Sequence, residues 1–211
     1  MPTTAVRAGS HSCRVAILVG MACAGCTGER MAAMLPFETY RNVSASMEPT
    51  IRAGMTIVAF RFTDSLNVIR DVGRGDVVVH QIPTDTANRY IKRIVGMPGD
   101  TIAMRGGVVS VNAIALAEPY AQHTVNSVDH VLPDVTWQLP YLVREIDRAH
   151  RPTQNAWGPL VIPAGAYLLL GDNRDNSLDS RYYGLVAAKF IRARIPSEVL
   201  AQLGTRSHEA H

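Results

Sequence analysis

The chain has 211 residues, of which 47% are hydrophobic and 18% are charged, and its formal net charge is +3. This length suits one domain with a short appendage, and the apolar fraction is large enough to build a packed core. The small charge, together with the absence of a basic run of five residues, argues against a nucleic-acid-binding protein.

An apolar run from Val15 to Cys26 opens the chain, after Arg7 and Arg14. It is shorter than the about 20 residues of a transmembrane helix and has the proportions of a signal-peptide core. We expect a signal or a marginal anchor, with its arginine-bearing end inside and the rest of the chain on the far side of the membrane. Lipidation at Cys26 is an alternative. A buried helix of a soluble protein is less favoured, because no amphipathic stripe is visible.

Cysteine occurs only in this first segment, at Cys13, Cys23 and Cys26. We therefore predict neither a disulfide nor a cysteine nucleophile from residue 27 onward. A weaker apolar patch, Met31 to Phe37, ends the segment.

The remainder of the chain has the texture of an all-β protein, with short runs rich in β-branched residues between Gly and Pro turns. The predicted strands are Met55 to Phe60, Asp76 to Gln81, Tyr90 to Val95, Thr101 to Met104, Val108 to Val111, Ala166 to Leu170 and Phe190 to Ile195. Residues 105–107 predict a hairpin turn. Residues 121–158 are more polar and predict an insertion, with its own hairpin or as a mobile loop. The predicted organisation is an amino-terminal segment at 1–37, a main domain at 38–200 and a tail at 201–211.

Two serines, Ser44 and Ser46, lie one residue apart within Val43 to Ile51, where Pro49 bends the chain. An exposed turn with free backbone N–H groups suits a nucleophile and an oxyanion site. Serines before a proline are, however, usually turn residues.

Lysine is rare in this arginine-rich chain and occurs only at Lys92 and Lys189. Strand alternation places Lys92 on the same face as Ile94, and burial lowers the pKa of a lysine. A neutral amine can take a proton from a serine hydroxyl, which arginine cannot do. The commoner fate of such a lysine is to extend its ammonium group to solvent.

A third run, Gly171 to Gly184, is dense in carboxylates, amides and arginines. It lacks the glycine and the closing glutamate of a calcium-binding loop. A network of mutually satisfied side chains fits better, and it would hold a serine hydroxyl against a lysine amine. The sequence contains neither G-x-S-x-G nor H-E-x-x-H.

Four runs of the sequence resemble the successive boxes of the type I signal peptidases, in the same order. They are Ser44 to Thr50, Arg74 to Val79, Arg89 to Asp100 and Gly171 to Gly184. The resemblance implies an all-β, antiparallel-sheet catalytic core at 38–200 and a serine endopeptidase that uses a Ser/Lys dyad. By similarity, Ser46 is the nucleophile and Lys92 the general base. Ser44 and the Ser46 N–H form the oxyanion hole, and Ser177 orients the lysine. The implied supporting ion pairs are Asp172 with Arg93 and Asp179 with Arg181. The implied substrate-pocket residues are Tyr40, Val43, Met47, Ile51, Tyr90 and Ile91.

The same resemblance implies an exported preprotein as substrate, cut after a small residue that has another small residue two positions earlier. It implies no metal, cofactor or nucleic acid, and it implies contact with membrane lipid. The expected location is the bacterial cytoplasmic membrane, with the catalytic domain on the outer side. The amino-terminal run is shorter than is usual in the family, and about 20 residues separate it from Ser46.

Three alternatives stay open at this point. One is a relative dedicated to a single substrate, such as a conjugation-type pilin-maturing protease, although the Gly171 to Gly184 run favours the general enzyme. A self-cleaving repressor would need a helix-turn-helix before Ser46, which the sequence does not supply. An inactive binding homologue is disfavoured, because Ser46, Lys92 and Ser177 are all present.

Overall fold

The computed structural model describes residues 36–124, 128–143 and 151–206, all within one unit of the chain, Pro36–His211. The apolar run, the three cysteines and most of the Met31 to Phe37 patch lie outside the described residues. In the part that is described, no helix is long and apolar enough to cross a membrane. The predicted anchor and domain boundaries stay predictions.

Two antiparallel sheets form the described fold, which confirms the predicted all-β class. The larger sheet has the spatial order β1-β2-β11-β3-β4-β9-β10. Its strands are β1 (Phe37–Arg41), β2 (Thr56–Arg61), β3 (Val77–Ile82), β4 (Asp85–Gly96), β9 (Ala166–Leu170), β10 (Val186–Ala187) and β11 (Ile191–Ile195).

The smaller sheet has the order β7-β6-β5-β8. Its strands are β5 (Thr101–Arg105), β6 (Val108–Val111), β7 (Ile114–Ala115) and β8 (Trp157–Val161). The predicted hairpin joins β5 to β6, and both of its turn residues, Gly106 and Gly107, have positive φ angles of 55° and 80°. Glycine suits this turn because a side chain is strained in that conformation.

Helices are short and few in the described residues. They are α1 (Ser65–Asp71), α2 (Ser180–Tyr183) and α3 (Ser197–Arg206), with 3-10 turns at Ala45–Met47, Thr136–Tyr141 and Ala188–Phe190. All seven predicted strands are present, whereas β1, β7, β8, β10 and these helices were not predicted. Within residues 121–158, the structure describes the second 3-10 turn and the beginning of β8. The prediction of an insertion there stays a prediction.

Every residue of β3 is buried, because apolar clusters cover both of its faces. Val77 and Val79 pack into one cluster with Ile91, whereas Val78 packs into another with Ile94. Lys92 lies opposite Val78 on the neighbouring strand β4. The centre of the larger sheet therefore carries a lysine on a strand whose last six residues are all buried.

Candidate active site

Ser46 lies on the 3-10 turn Ala45–Met47 and is only 6% exposed. Ser44 caps this turn, since its Oγ accepts a hydrogen bond from the Ser46 N–H at 3.0 Å. The Asn42 side chain ties the ends of the loop together by donating to the carbonyls of Ser44 at 2.9 Å and Ile51 at 3.2 Å. The serine is therefore held on a braced turn rather than on a free loop.

Lys92 reaches this turn from β4, and its Nζ lies 2.7 Å from Ser46 Oγ and 3.0 Å from the Ile91 carbonyl oxygen. Lys92 is 3% exposed. Burial lowers its pKa from 10.5 to about 8, against the opposing influence of Asp179 and Asp172. Near neutral pH a usable fraction of the amine is neutral, and the neutral amine can accept the serine proton.

Asp172 and Arg93 form a buried bidentate ion pair, with Nε to Oδ1 at 2.8 Å and Nη2 to Oδ2 at 2.6 Å. Thr50 donates its hydroxyl proton to the same carboxylate. The Arg93 guanidinium lies 3.9 Å above the centre of the Tyr120 ring. Bidentate pairs fix geometry as well as charge, so this pair joins β4, the serine turn and the segment after β9.

Asp179 and Arg181 form a second buried bidentate pair, with both separations at 2.8 Å. Burial alone would raise the pKa of Asp179, but the Arg181 guanidinium outweighs it and holds that pKa below its usual value. Asp179 also accepts a hydrogen bond from the Gly171 N–H at 3.1 Å. The structure thus brings together both ion pairs that were predicted from the sequence.

Ser177 is also buried near the dyad, and its hydroxyl lies close enough to the Asp179 carboxylate to help lower the pKa of that group. A Cβ atom on Gly171 would overlap both this hydroxyl and the Ser46 carbonyl oxygen, so the segment after β9 packs directly on the serine turn. The Lys92 amine bonds to Ser46 and Ile91, not to Ser177. The predicted lysine-orienting role of Ser177 stays a prediction.

An open cleft of about 390 Å³ leads to the dyad. Its lining residues are Arg41, Asn42, Val43, Ser44, Ser46, Asn88, Arg89, Tyr90, Ile91, Lys92, Asn176 and Leu178. Three of the predicted pocket residues, Val43, Tyr90 and Ile91, are among them.

The other three predicted pocket residues lie elsewhere. Tyr40 lines a neighbouring depression, where its hydroxyl donates to Glu38 at 2.5 Å. Met47 and Ile51 are fully buried in the apolar cluster beneath the serine turn. The 3-10 turn directs Met47 into the core, and the loop that follows the turn does the same for Ile51, which a linear sequence does not reveal.

Sequence reasoning missed three residues that support the site: Asn42, Thr50 and Tyr120. Asn42 and Thr50 lie beside or within the serine run, so their polarity near a nucleophile was an available signal. Tyr120 comes from a distant segment, and nothing in the sequence linked it to Arg93. Among the described residues, no group of His, Cys, Asp and Glu side chains could hold a metal ion.

Comparison with known proteins is consistent with this geometry. Residues 13–199 match the family described as "Signal peptidase, peptidase S26". Signal peptidase I of Pseudomonas aeruginosa is 32% identical over 183 residues, which cover 81% of this chain and 61% of that protein. Signal peptidase I of Bacillus amyloliquefaciens is 32% identical over 157 residues, which cover 74% and 69%. A crystal structure of a signal peptidase I from Enterococcus faecalis aligns with a TM-score of 0.41 at 25% identity, over 60% of this chain and 97% of that one.

Proposed function

The chain belongs to the signal peptidase family, peptidase S26, and on that premise we propose that it is a serine endopeptidase that removes amino-terminal signal peptides from exported preproteins. The observation that carries the proposal is the 2.7 Å contact between Lys92 Nζ and Ser46 Oγ. The lysine is buried, and its pKa is lowered to about 8. A lysine with only a structural role is more stable with its ammonium group in solvent. Burial instead lowers the pKa of a lysine, which is the property that a general base needs.

In the proposed reaction, the neutral Lys92 amine takes the hydroxyl proton as Ser46 Oγ attacks the scissile carbonyl carbon. The resulting ammonium returns that proton to the leaving amine, which gives an acyl-enzyme and a free mature amino terminus. Lys92 then takes a proton from a water molecule as that water attacks the acyl carbonyl carbon, and the ammonium returns the proton to Ser46 Oγ as the ester C–O bond breaks and the signal peptide leaves. One residue thus acts alternately as base and acid.

The Ser46 N–H and the Ser44 hydroxyl are the proposed donors to the oxyanion. In the free protein these two groups bond to each other at 3.0 Å. A carbonyl oxygen that enters between them would take the N–H bond and leave the Ser44 hydroxyl free to donate as well. Such donors are worth most where negative charge develops in the transition state.

The two ion pairs, Asp172 with Arg93 and Asp179 with Arg181, are proposed as scaffolding for the dyad, with Ser177 as an orienting hydroxyl. Both carboxylates are buried close enough to Lys92 to raise its pKa, while burial lowers it. The balance keeps the amine titratable near neutral pH rather than permanently neutral or permanently charged.

The proposed substrate is a preprotein with small side chains at the cleaved residue and two positions before it. Val43, Tyr90 and Ile91 offer apolar contacts in the cleft, and side chains that are too large would be excluded by overlap. We further propose that the amino-terminal segment directs the protein to the bacterial cytoplasmic membrane, where it contacts lipid and exposes the catalytic domain on the outer side.

The test uses the full chain in detergent and a preprotein that carries an Ala-x-Ala site. The parent and a Lys189→Ala control should cut after the second alanine, whereas Lys92→Ala should not. Cleavage by Lys92→Ala at the parental rate would refute the proposed base. Several unrelated preproteins should all be cut, and cleavage of one alone would favour the dedicated single-substrate protease.

A further inference from the structure

The cleft beside Ser46 is basic in a way that the proposed chemistry does not require. Its lining contains Arg41 and Arg89 in addition to Lys92, and no carboxylate. The two arginines reach the cleft from different elements, since Arg41 ends β1 and Arg89 lies within β4. Two separate strands thus place guanidinium groups along one substrate path.

Neither guanidinium is neutralised by the described residues. The Arg41 side chain is exposed, and its guanidinium forms no hydrogen bond or ion pair with any residue that the structure describes. Arg89 is also exposed and donates only to backbone carbonyls, those of Thr86 at 3.0 Å and Asn88 at 3.4 Å. Both arginines keep donors free for a carboxylate, the ligand that suits their planar geometry best.

The nearest acidic side chains along the same strands already have other partners. Glu38 on β1 pairs with Arg61 at 3.2 Å and accepts from Tyr40. Asp85 on β4 accepts from the Tyr90 hydroxyl at 2.7 Å and also from the neighbouring Asn88. Among the described residues, the guanidinium groups of Arg41 and Arg89 therefore have no carboxylate partner, and a bound molecule can supply one.

Strand spacing indicates which part of a substrate would meet that charge. Arg89 lies three positions before Lys92, which is about 10 Å along an extended strand. Tyr90 and Ile91 lie between them and are proposed to contact the small residues before the cleaved bond. A substrate that continues outward in extended form would reach the arginines about four to six residues before that bond.

We propose that Arg41 and Arg89 select precursors that carry an acidic side chain at those outer positions. The inference rests on the proposed function and narrows its substrate class. It commits to a carboxylate of the substrate rather than to an anionic lipid, because both arginines share a cleft with the nucleophile. Exposed pairs of this kind are individually weak, so the expected selectivity is modest and depends on salt.

The test compares three peptides, with Glu, Gln or Lys, at each position from four to six before the cut of one Ala-x-Ala site, so that both alanines are kept. Assays use the full chain in a nonionic detergent without lipid. At low salt, kcat/KM for the best Glu peptide should exceed that for its Lys counterpart by about tenfold, and the ratio should shrink at high salt. The double variant Arg41→Glu/Arg89→Glu should reverse the order.

Arg52→Glu is the control for the arginine-to-glutamate replacement, because it makes the same substitution at an exposed arginine outside the cleft lining. It should keep the parental preference. If the double variant fails to fold, the single variants Arg41→Gln and Arg89→Gln should each lose part of the Glu preference, measured within each variant as the ratio of kcat/KM for the Glu peptide to that for the Gln peptide.

Equal kcat/KM for all three peptides would overturn the inference and leave the proposed function standing. A charge preference that arises only with anionic vesicles would overturn it too, in favour of lipid. If no peptide is cut, including the neutral one, the proposed function fails. Binding of the same peptides to Ser46→Ala then still decides the inference, since the Glu peptide must bind most tightly.

Discussion

Replacing Lys92 with methionine should stabilise the protein at neutral pH and lose that advantage as the pH rises. The side chains are similar in length, and Lys92 is almost wholly buried. In the folded protein its pKa is about 8, compared with 10.5 for an unburied lysine. Since a tenfold change in proton affinity corresponds to about 1.4 kcal/mol, holding the ammonium inside costs on the order of 3 kcal/mol.

The sign follows from proton binding in the folded and unfolded states. Below about pH 8 both states hold the proton, so the whole cost is present in the parent protein. Between about pH 8 and 10.5 the unfolded chain binds more protons than the folded one, so the free energy of unfolding of the parent rises with pH. Lys92→Met lacks this rise. Its stability relative to the parent should therefore fall by about 2–3 kcal/mol between pH 7 and pH 10.

Urea unfolding followed by tryptophan fluorescence at pH 7, 8, 9 and 10 measures this difference without requiring activity. Lys189→Met is the control, because it removes the other lysine, whose side chain is exposed. The control should differ from the parent by the same amount at every pH. A difference in the free energy of unfolding between Lys92→Met and the parent that stays constant from pH 7 to pH 10 would refute the lowered pKa of Lys92. It would also remove the physical basis for its role as a general base.

Three further outcomes are expected. Ser46→Ala should abolish cleavage while changing the free energy of unfolding by less than about 1 kcal/mol. Cleavage by this variant at the parental rate would show that Ser46 is not the nucleophile. In the unmodified enzyme, kcat/KM should rise about tenfold per pH unit below an apparent pKa near 8 and level off above it, whereas a flat profile would contradict a lysine base. Asp172→Asn leaves the Arg93 guanidinium buried without its counter-charge and should lower the free energy of unfolding by about 3–5 kcal/mol, as measured by urea unfolding; a loss below about 1 kcal/mol would show that the pair is dispensable.

Seven of the strands could be predicted from the sequence because their signals are local, whereas Ser46 and Lys92 were assigned as a dyad from the resemblance of several runs, taken together, to one family. Val77 to Val79 form a β-branched run, and Lys92 stands in an apolar strand where a charge is conspicuous. β1 was missed because its residues alternate between exposed and half-buried and include Glu38 and Arg41, so no apolar run marks the strand.

Other parts of the site depend on packing between distant segments and leave no such local signal. Met47 was expected in the pocket, but the 3-10 turn directs it inward. Tyr120 supports Arg93 only because the fold brings two separate segments together. Three-dimensional placement, rather than residue type, decides both cases.

The contacts that assemble the dyad span long stretches of chain. Lys92 and Ser46 are 46 residues apart, and Arg93 and Asp172 are 79 apart. Non-local contacts of this kind form late in folding, after the loops between them have closed. A growing polypeptide that has not yet supplied Asp172 contains both reactive groups but not the frame that aligns them. The order of synthesis places the partner of Arg93 on the chain well after Ser46 and Lys92, so a polypeptide that ends before Asp172 lacks the ion pair that joins β4 to the segment after β9.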